Sequence, residues 1–126
     1  MSNEAVVTDK APAALGPYSA AVKHGNVIHV SGQLPIDPAT GEFAGDDIAA
    51  QTAQSLTNIK NILEATGATM ANVAETTVYL ADLGDFAAMN EVYGTFFEKP
   101  YPARACFQVA ALPKGSKLEI KAVAYL

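Results

Sequence analysis

The sequence predicts an α/β fold of the α+β type, a mainly antiparallel sheet with two helices packed on one face. Short runs rich in Val, Ile, Thr and Tyr lie towards both ends of the chain and are bounded by Gly- and Pro-bearing turn signals. Two segments in the middle carry apolar residues at helical spacing instead. The first two strand-like runs, and likewise the last two, are joined by short turns, which favours antiparallel pairing within each pair.

Taken in order, Thr8 to Ser19 carries Pro12, Gly16 and Pro17 and reads as an irregular lead-in. Ala20 to Lys23 and Val27 to Ser31 read as strands joined at His24-Gly-Asn26, a hairpin turn signal. Leu34 to Glu42 is dense in turn residues. Gly45-Asp-Asp47 offers an N-cap to a helix whose Ile48, Thr52, Leu56, Ile59 and Leu63 recur at spacings of four, four, three and four, and Gly67 is placed to stop it. Val73 to Ala81, rich in Thr, Val and Tyr, reads as a strand. Asp82 or Gly84 then caps a second helix with Phe86, Met89, Tyr93 and Phe96 on one face, ended by Lys99-Pro100. Two closing strands follow, Ala103 to Ala110 and Lys117 to Tyr125, on either side of a turn at Leu112 to Ser116.

The length of 126 residues fits one domain, 1–126, with no linker dividing it. Eight basic residues against 13 acidic ones give a net charge of −5, and the lysines are dispersed, so a nucleic-acid partner is not expected. No apolar segment approaches membrane-spanning length. The single cysteine, Cys106, excludes an intrachain disulfide, and the first residues lack the marks of a secretory leader, which points to a reducing, cytoplasmic setting. His24 and His29 have no ligand neighbour at strand or helix spacing, and no zinc, phosphate-loop or nucleophile-elbow motif occurs. The expectation is no metal and no cofactor.

The chemistry-bearing residues lie in the closing strands. Arg104 is the only arginine, and it stands within an apolar run where a solubilising charge is out of place. Guanidinium offers a planar fork of donors that matches a carboxylate, so one reading is an anion clamp; the other is an ion pair at a sheet edge. Strand parity places Ala105, Phe107 and Val109 with Leu118, Ile120, Ala122 and Ala124 on an apolar face for the helices. If the two strands pair antiparallel, the opposite face gathers Arg104, Cys106 and Gln108 with Glu119 and Lys121. That face is left for water or for another copy of the chain, and Val123 and Tyr125 on it favour a partner. Glu119 reads either as one rung of a charge ladder with Lys117 and Lys121 or as a general acid/base at a subunit seam. Cys106 reads as a small buried hydrophobe.

Several motifs in sequence resemble one family. Pro102-Ala-Arg-Ala-Cys-Phe-Gln-Val-Ala-Ala-Leu-Pro113 with Leu118-Glu-Ile120 resembles the C-terminal signature of the Rid (YjgF) family, and Gly16-Pro-Tyr-Ser19, Val30-Ser-Gly-Gln-Leu-Pro35 and Asp37-Pro-Ala-Thr-Gly41 resemble its N-terminal motifs. Asn58 to Leu63 and Asp85 to Tyr93 extend the likeness over nearly the whole chain. The retained Arg and the Arg-x-Cys arrangement resemble the RidA subgroup. The resemblance implies a chorismate-mutase-like sandwich assembled as a homotrimeric barrel with sites between subunits. It also implies hydrolysis of reactive 2-imino acids, 2-iminobutanoate and 2-iminopropanoate, to 2-oxo acids and ammonia. On that likeness Arg104 binds the substrate carboxylate, Glu119 positions or deprotonates the attacking water and Tyr18 closes the pocket. Ser31 and Gly32 line the site, Asn90 supports it, and main-chain groups at Cys106 lie beside the imine. Lys121 stands where the family frequently has an acidic residue, and it is expected to lower the pKa of Glu119 where the two side chains approach.

Overall fold

The structure, a computed structural model, describes residues 2–126. Its elements are β1 (Glu4–Val6), β2 (Ala21–His24), β3 (Val27–Gln33), α1 (Ile48–Glu64), β4 (Val73–Leu80), α2 (Phe86–Tyr93), β5 (Ala103–Gln108) and β6 (Leu118–Tyr125), with single 3₁₀ turns before β4, α2 and β6. The six strands form one mixed sheet in the order β1-β2-β3-β6-β4-β5. Every neighbouring pair is antiparallel except β4 and β5, which run parallel.

The expected elements form for local reasons. Gly25 takes the left-handed conformation (φ 63°) that the β2–β3 turn requires. The Asp47 side chain accepts from the Ala50 N–H at 2.7 Å and caps α1. Past its last turn, the Ala68 N–H returns to the Leu63 carbonyl around Gly67 at φ 86°. Asp82 caps the 3₁₀ turn that leads into α2. That helix ends at Tyr93, one turn short of the expected face, and Phe96 packs on the core from the following loop. The short strand β1 lies outside the expected elements.

The core fills the space between the sheet and α1, which packs on β3, β6 and α2. Ile28, Val78, Leu80, Leu118 and Ile120 from the sheet meet Leu56, Ile59, Ile62 and Leu63 from α1 and Met89 from α2, all fully buried. The helices cover one face only. On the other, Tyr79, Val123 and Tyr125 stay partly or largely open to solvent.

One expectation about the sheet is corrected. The last two strands do not form a hairpin: β4 lies between them, and the connection crosses its end, where the Val109 N–H bonds the Leu80 carbonyl and the Ala81 N–H bonds the Lys117 carbonyl. The parity of β5 is therefore the reverse of that expected. Arg104, Cys106 and Gln108 stand opposite Thr76, Val78 and Leu80, on the helix side. Ala105 and Phe107 lie on the open side, where Phe107 is 46% exposed and meets Tyr79 edge-on, with centroids 5.3 Å apart. Apolarity marks the covered face in β6, whereas in the edge strand β5 it marks the open one.

Candidate functional site

The sequence-predicted residues divide into two groups on different surfaces. Thr76 pairs with both Arg104 and Ala122, and Tyr79 pairs with both Phe107 and Glu119. Paired residues share a face and consecutive residues alternate, so Arg104 and Glu119 point to opposite sides of the sheet. One chain does not bring them together.

The first group is built on β5 and α2. Arg104, itself exposed, donates from Nη1 to Asn90 Oδ1 at 2.8 Å. Its guanidinium carbon lies 4.8 Å from the centre of the Tyr93 ring and 5.5 Å from that of Phe86. Phe86, Asn90 and Tyr93 fall on one stripe of α2, at spacings that bring side chains to the same side of a helix. Tyr93 is buried and shares a 2.7 Å hydrogen bond with Thr76 Oγ1. Burial pushes the Tyr93 phenol up, against smaller downward pulls from Thr76 and the Arg104 charge, so it stays protonated. Gln108 steadies the approach to α2 by accepting from the Leu83 N–H at 2.9 Å. Cys106 is partly buried beside Arg104. Burial raises its thiol pKa more than the Arg104 charge lowers it, which does not favour a thiolate nucleophile. As the edge strand, β5 leaves one side without a pairing partner at the rim where Arg104 stands.

The second group lies on the open face. Glu119 sits between Tyr79 of β4 and Gly32 of β3, where the β3–β6 register shifts between Val30 and Gln33. A Cβ added to Gly32 would lie 2.8 Å from Cδ of Glu119 and 3.1 Å from Cγ, and closer still to Oε2. Gly32 is not among the glycines with positive φ, so what this position needs is the space. Desolvation raises the Glu119 pKa. The direction is upward and its cause is burial; the lowering expected where Lys121 approaches is not what sets it. Ser31 donates from Oγ to the Ser19 carbonyl at 2.6 Å, and its N–H bonds the Ala20 carbonyl, stapling the lead-in that carries Tyr18. Tyr18, 56% exposed, lines with His29, Ser31, Lys121 and Val123 a shallow pocket of about 350 Å³.

A larger cleft of about 590 Å³, between Lys60, Met70, Phe96 and Pro100, holds none of these residues. Chemistry rather than volume selects the site, because the forked cation and the desolvated carboxylate lie elsewhere. Among the described residues no group of three or more His, Cys, Asp or Glu is placed to hold a metal ion. Among the described residues no helix is long and apolar enough to cross a membrane. Sequence reasoning missed the surroundings of Arg104. Phe86 and Tyr93 were legible as a helical stripe, but the stripe reads as core until β5 is known to run beside α2.

Residues 8–126 match the family model described as endoribonuclease L-PSP. The chain is 55% identical over 120 residues to a RutC family protein of Sinorhizobium fredii, with 95% of each covered. It is 50% identical over 119 residues, 94% of this chain and 87% of the other, to the Bos taurus protein named 2-iminobutanoate/2-iminopropanoate deaminase. Among solved structures, RidA from an Antarctic Psychrobacter superposes with a TM-score of 0.94 at 50% identity, covering 98% of this chain and 99% of that one.

Proposed function

The chain belongs to the Rid (YjgF) family, and from that membership we propose that it hydrolyses small 2-imino acids, of the 2-iminobutanoate and 2-iminopropanoate kind, to 2-oxo acids and ammonia. The observation that carries the reading is the pair of prepared groups. The guanidinium spends one hydrogen bond on Asn90 and keeps the rest of its fork free, and a carboxylate with a raised pKa lies on the uncovered sheet face.

A 2-imino acid offers a carboxylate next to an electrophilic C=N carbon. Arg104 grips the carboxylate and so fixes where that carbon lies. Glu119, ionised, takes a proton from water as its oxygen attacks the carbon of the protonated imine, giving a carbinolamine. It then returns the proton to nitrogen; the C–N bond breaks and ammonia leaves while Glu119 takes the hydroxyl proton, so that the carbonyl forms, and that proton departs with ammonia as ammonium. One carboxylate serves as base and then as acid, and a pKa above the ordinary carboxylate value suits both steps. Tyr18 closes the pocket over the substrate, with Ser31 and Gly32 beneath it and main-chain groups at Cys106 at its rim.

Since the two groups face opposite sides of the sheet, the complete site combines the β5 rim of one subunit with the open face of the next. Two different patches in contact make a heterologous interface, which closes as a ring when the rotation between subunits is a whole fraction of a turn. The ring is a homotrimer, the number the resemblance implies. A nuclease is the weaker reading, because a net charge of −5 and a lone arginine give no track for phosphates.

The test is 2-oxobutanoate formation from 2-iminobutanoate, generated in place by a threonine dehydratase with semicarbazide as competing trap. The wild type should suppress semicarbazone formation and Arg104→Lys, which keeps the charge and removes the fork, should not. No effect from the wild type would leave a 2-oxo acid-binding oligomer as the better reading.

A further inference from the structure

We propose that Tyr93 and Phe86 are positioning residues for Arg104: their rings wall the guanidinium, Thr76 anchors Tyr93 from below, and the carboxylate clamp is set before substrate arrives. A free arginine side chain has several rotatable bonds, and its ordering has to be supplied on binding unless the protein has supplied it already. Here three groups from one helix stripe converge on one guanidinium. Its face lies over Tyr93 at 4.8 Å and near Phe86 at 5.5 Å, both within cation–π reach, and Asn90 at 2.8 Å fixes its rotation in the plane. The Tyr93 ring is itself immobile. It belongs to the core, leans on Phe97 at 4.8 Å between ring centres, and is tied by its hydroxyl to Thr76, a fully buried residue one strand away from Arg104. Asn90 takes one donor and the rings take none, so the remaining N–H groups stay available to an anion.

This inference rests on the imino acid reading only for its kinetic consequence, and the lone arginine allows a test that does not depend on turnover. With one arginine in the chain, the side-chain ¹⁵Nε–H signal in an NMR spectrum belongs to Arg104 without assignment. In the wild type it should be displaced by the ring currents of Tyr93 and Phe86, with slowed rotation of the guanidinium. Phe86→Leu, at a partly exposed position, should keep the fold and move the signal toward that of a free arginine; Tyr93→Leu should move it further, while Tyr93→Phe, which keeps the ring and loses the Thr76 tie, should move it less than Tyr93→Leu. In turnover, Phe86→Leu should raise KM by about two- to five-fold with kcat little changed, because the lost contact orders the clamp in ground and transition state alike. A purely structural role would lower Tm and remove the ring's own contribution to the shift, but would leave guanidinium rotation and KM at their wild-type values. If folded Phe86→Leu leaves guanidinium rotation and KM at their wild-type values, or Tyr93→Phe moves the signal as far as Tyr93→Leu, the proposal is overturned. Should the wild type lack turnover while the signal responds as described, the deaminase reading falls and the positioning role stands.

Discussion

Gly32→Ala isolates the placement of Glu119 better than any change to Glu119 itself. The backbone at Gly32 is outside the left-handed region, so alanine is accepted there without conformational strain. The added methyl nevertheless meets the Glu119 side chain, 2.8 Å from Cδ and 3.1 Å from Cγ. Carbon atoms rest at about 3.5–4.0 Å, so the carboxylate must retreat by roughly 1 Å or the β3 bulge must move. A displacement of that size is worth about 100-fold in a positioned reaction, or about 2.7 kcal/mol in the barrier. In the semicarbazide competition assay, kcat/KM for 2-iminobutanoate should fall by about that factor, while binding of 2-oxobutanoate, held by Arg104 of the other group, changes little. In a Glu119→Gln background the same substitution should cost almost nothing more, because the proton transfer it disturbs is already gone. Near wild-type kcat/KM in Gly32→Ala, or a loss that adds in full to that of Glu119→Gln, would refute this reasoning.

Two further outcomes follow from the same structure. Burial raises the Glu119 pKa, so the folded chain holds that proton to higher pH than the unfolded chain, and the group's contribution to stability falls as pH rises between the ordinary value and the raised one. Glu119→Gln should therefore raise the urea midpoint near about pH 7 and lose that advantage near about pH 4; the acid limb of wild-type kcat/KM should likewise lie above the ordinary Glu value. Thr52 is fully buried in α1 and its hydroxyl has no hydrogen-bond partner, so Thr52→Val should be neutral or stabilising by up to about 1 kcal/mol in urea melts. A loss of more than that would show that the hydroxyl is satisfied.

The sequence carried the covered half of this fold and little of the exposed edge. Leu118, Ile120, Ala122 and Ala124 alternate with polar or larger side chains, and β6 is central, so its parity reports burial faithfully. In β5 the same rule fails. The strand pairs on one side only, and the apolar Ala105 and Phe107 lie on the open face. Parallel pairing with β4 is not legible from a short connection, because the chain after Val109 crosses β4 before turning into β6. The strand Glu4–Val6 is too short to show a period. At the site, Arg104 stood out by being unique and Glu119 by its place in the family-like motif. Their separation to opposite faces could not be read without the register, and neither could the partnership of Arg104 with Phe86 and Tyr93, which are distant in sequence and resemble ordinary core.

Subunit mixing tests most directly the proposal that Arg104 of one subunit works with Glu119 of another. Arg104→Lys and Glu119→Gln chains, each inactive alone, would be unfolded together in equal amounts, refolded and assayed. In a ring with heterologous sites a site is intact only when its Arg comes from one variant and its Glu from the other. Random mixing makes about one site in four intact, so about a quarter of wild-type activity should return. If the mixture stays as inactive as its components while refolded wild type regains activity, the two residues do not meet across subunits, and the account fails.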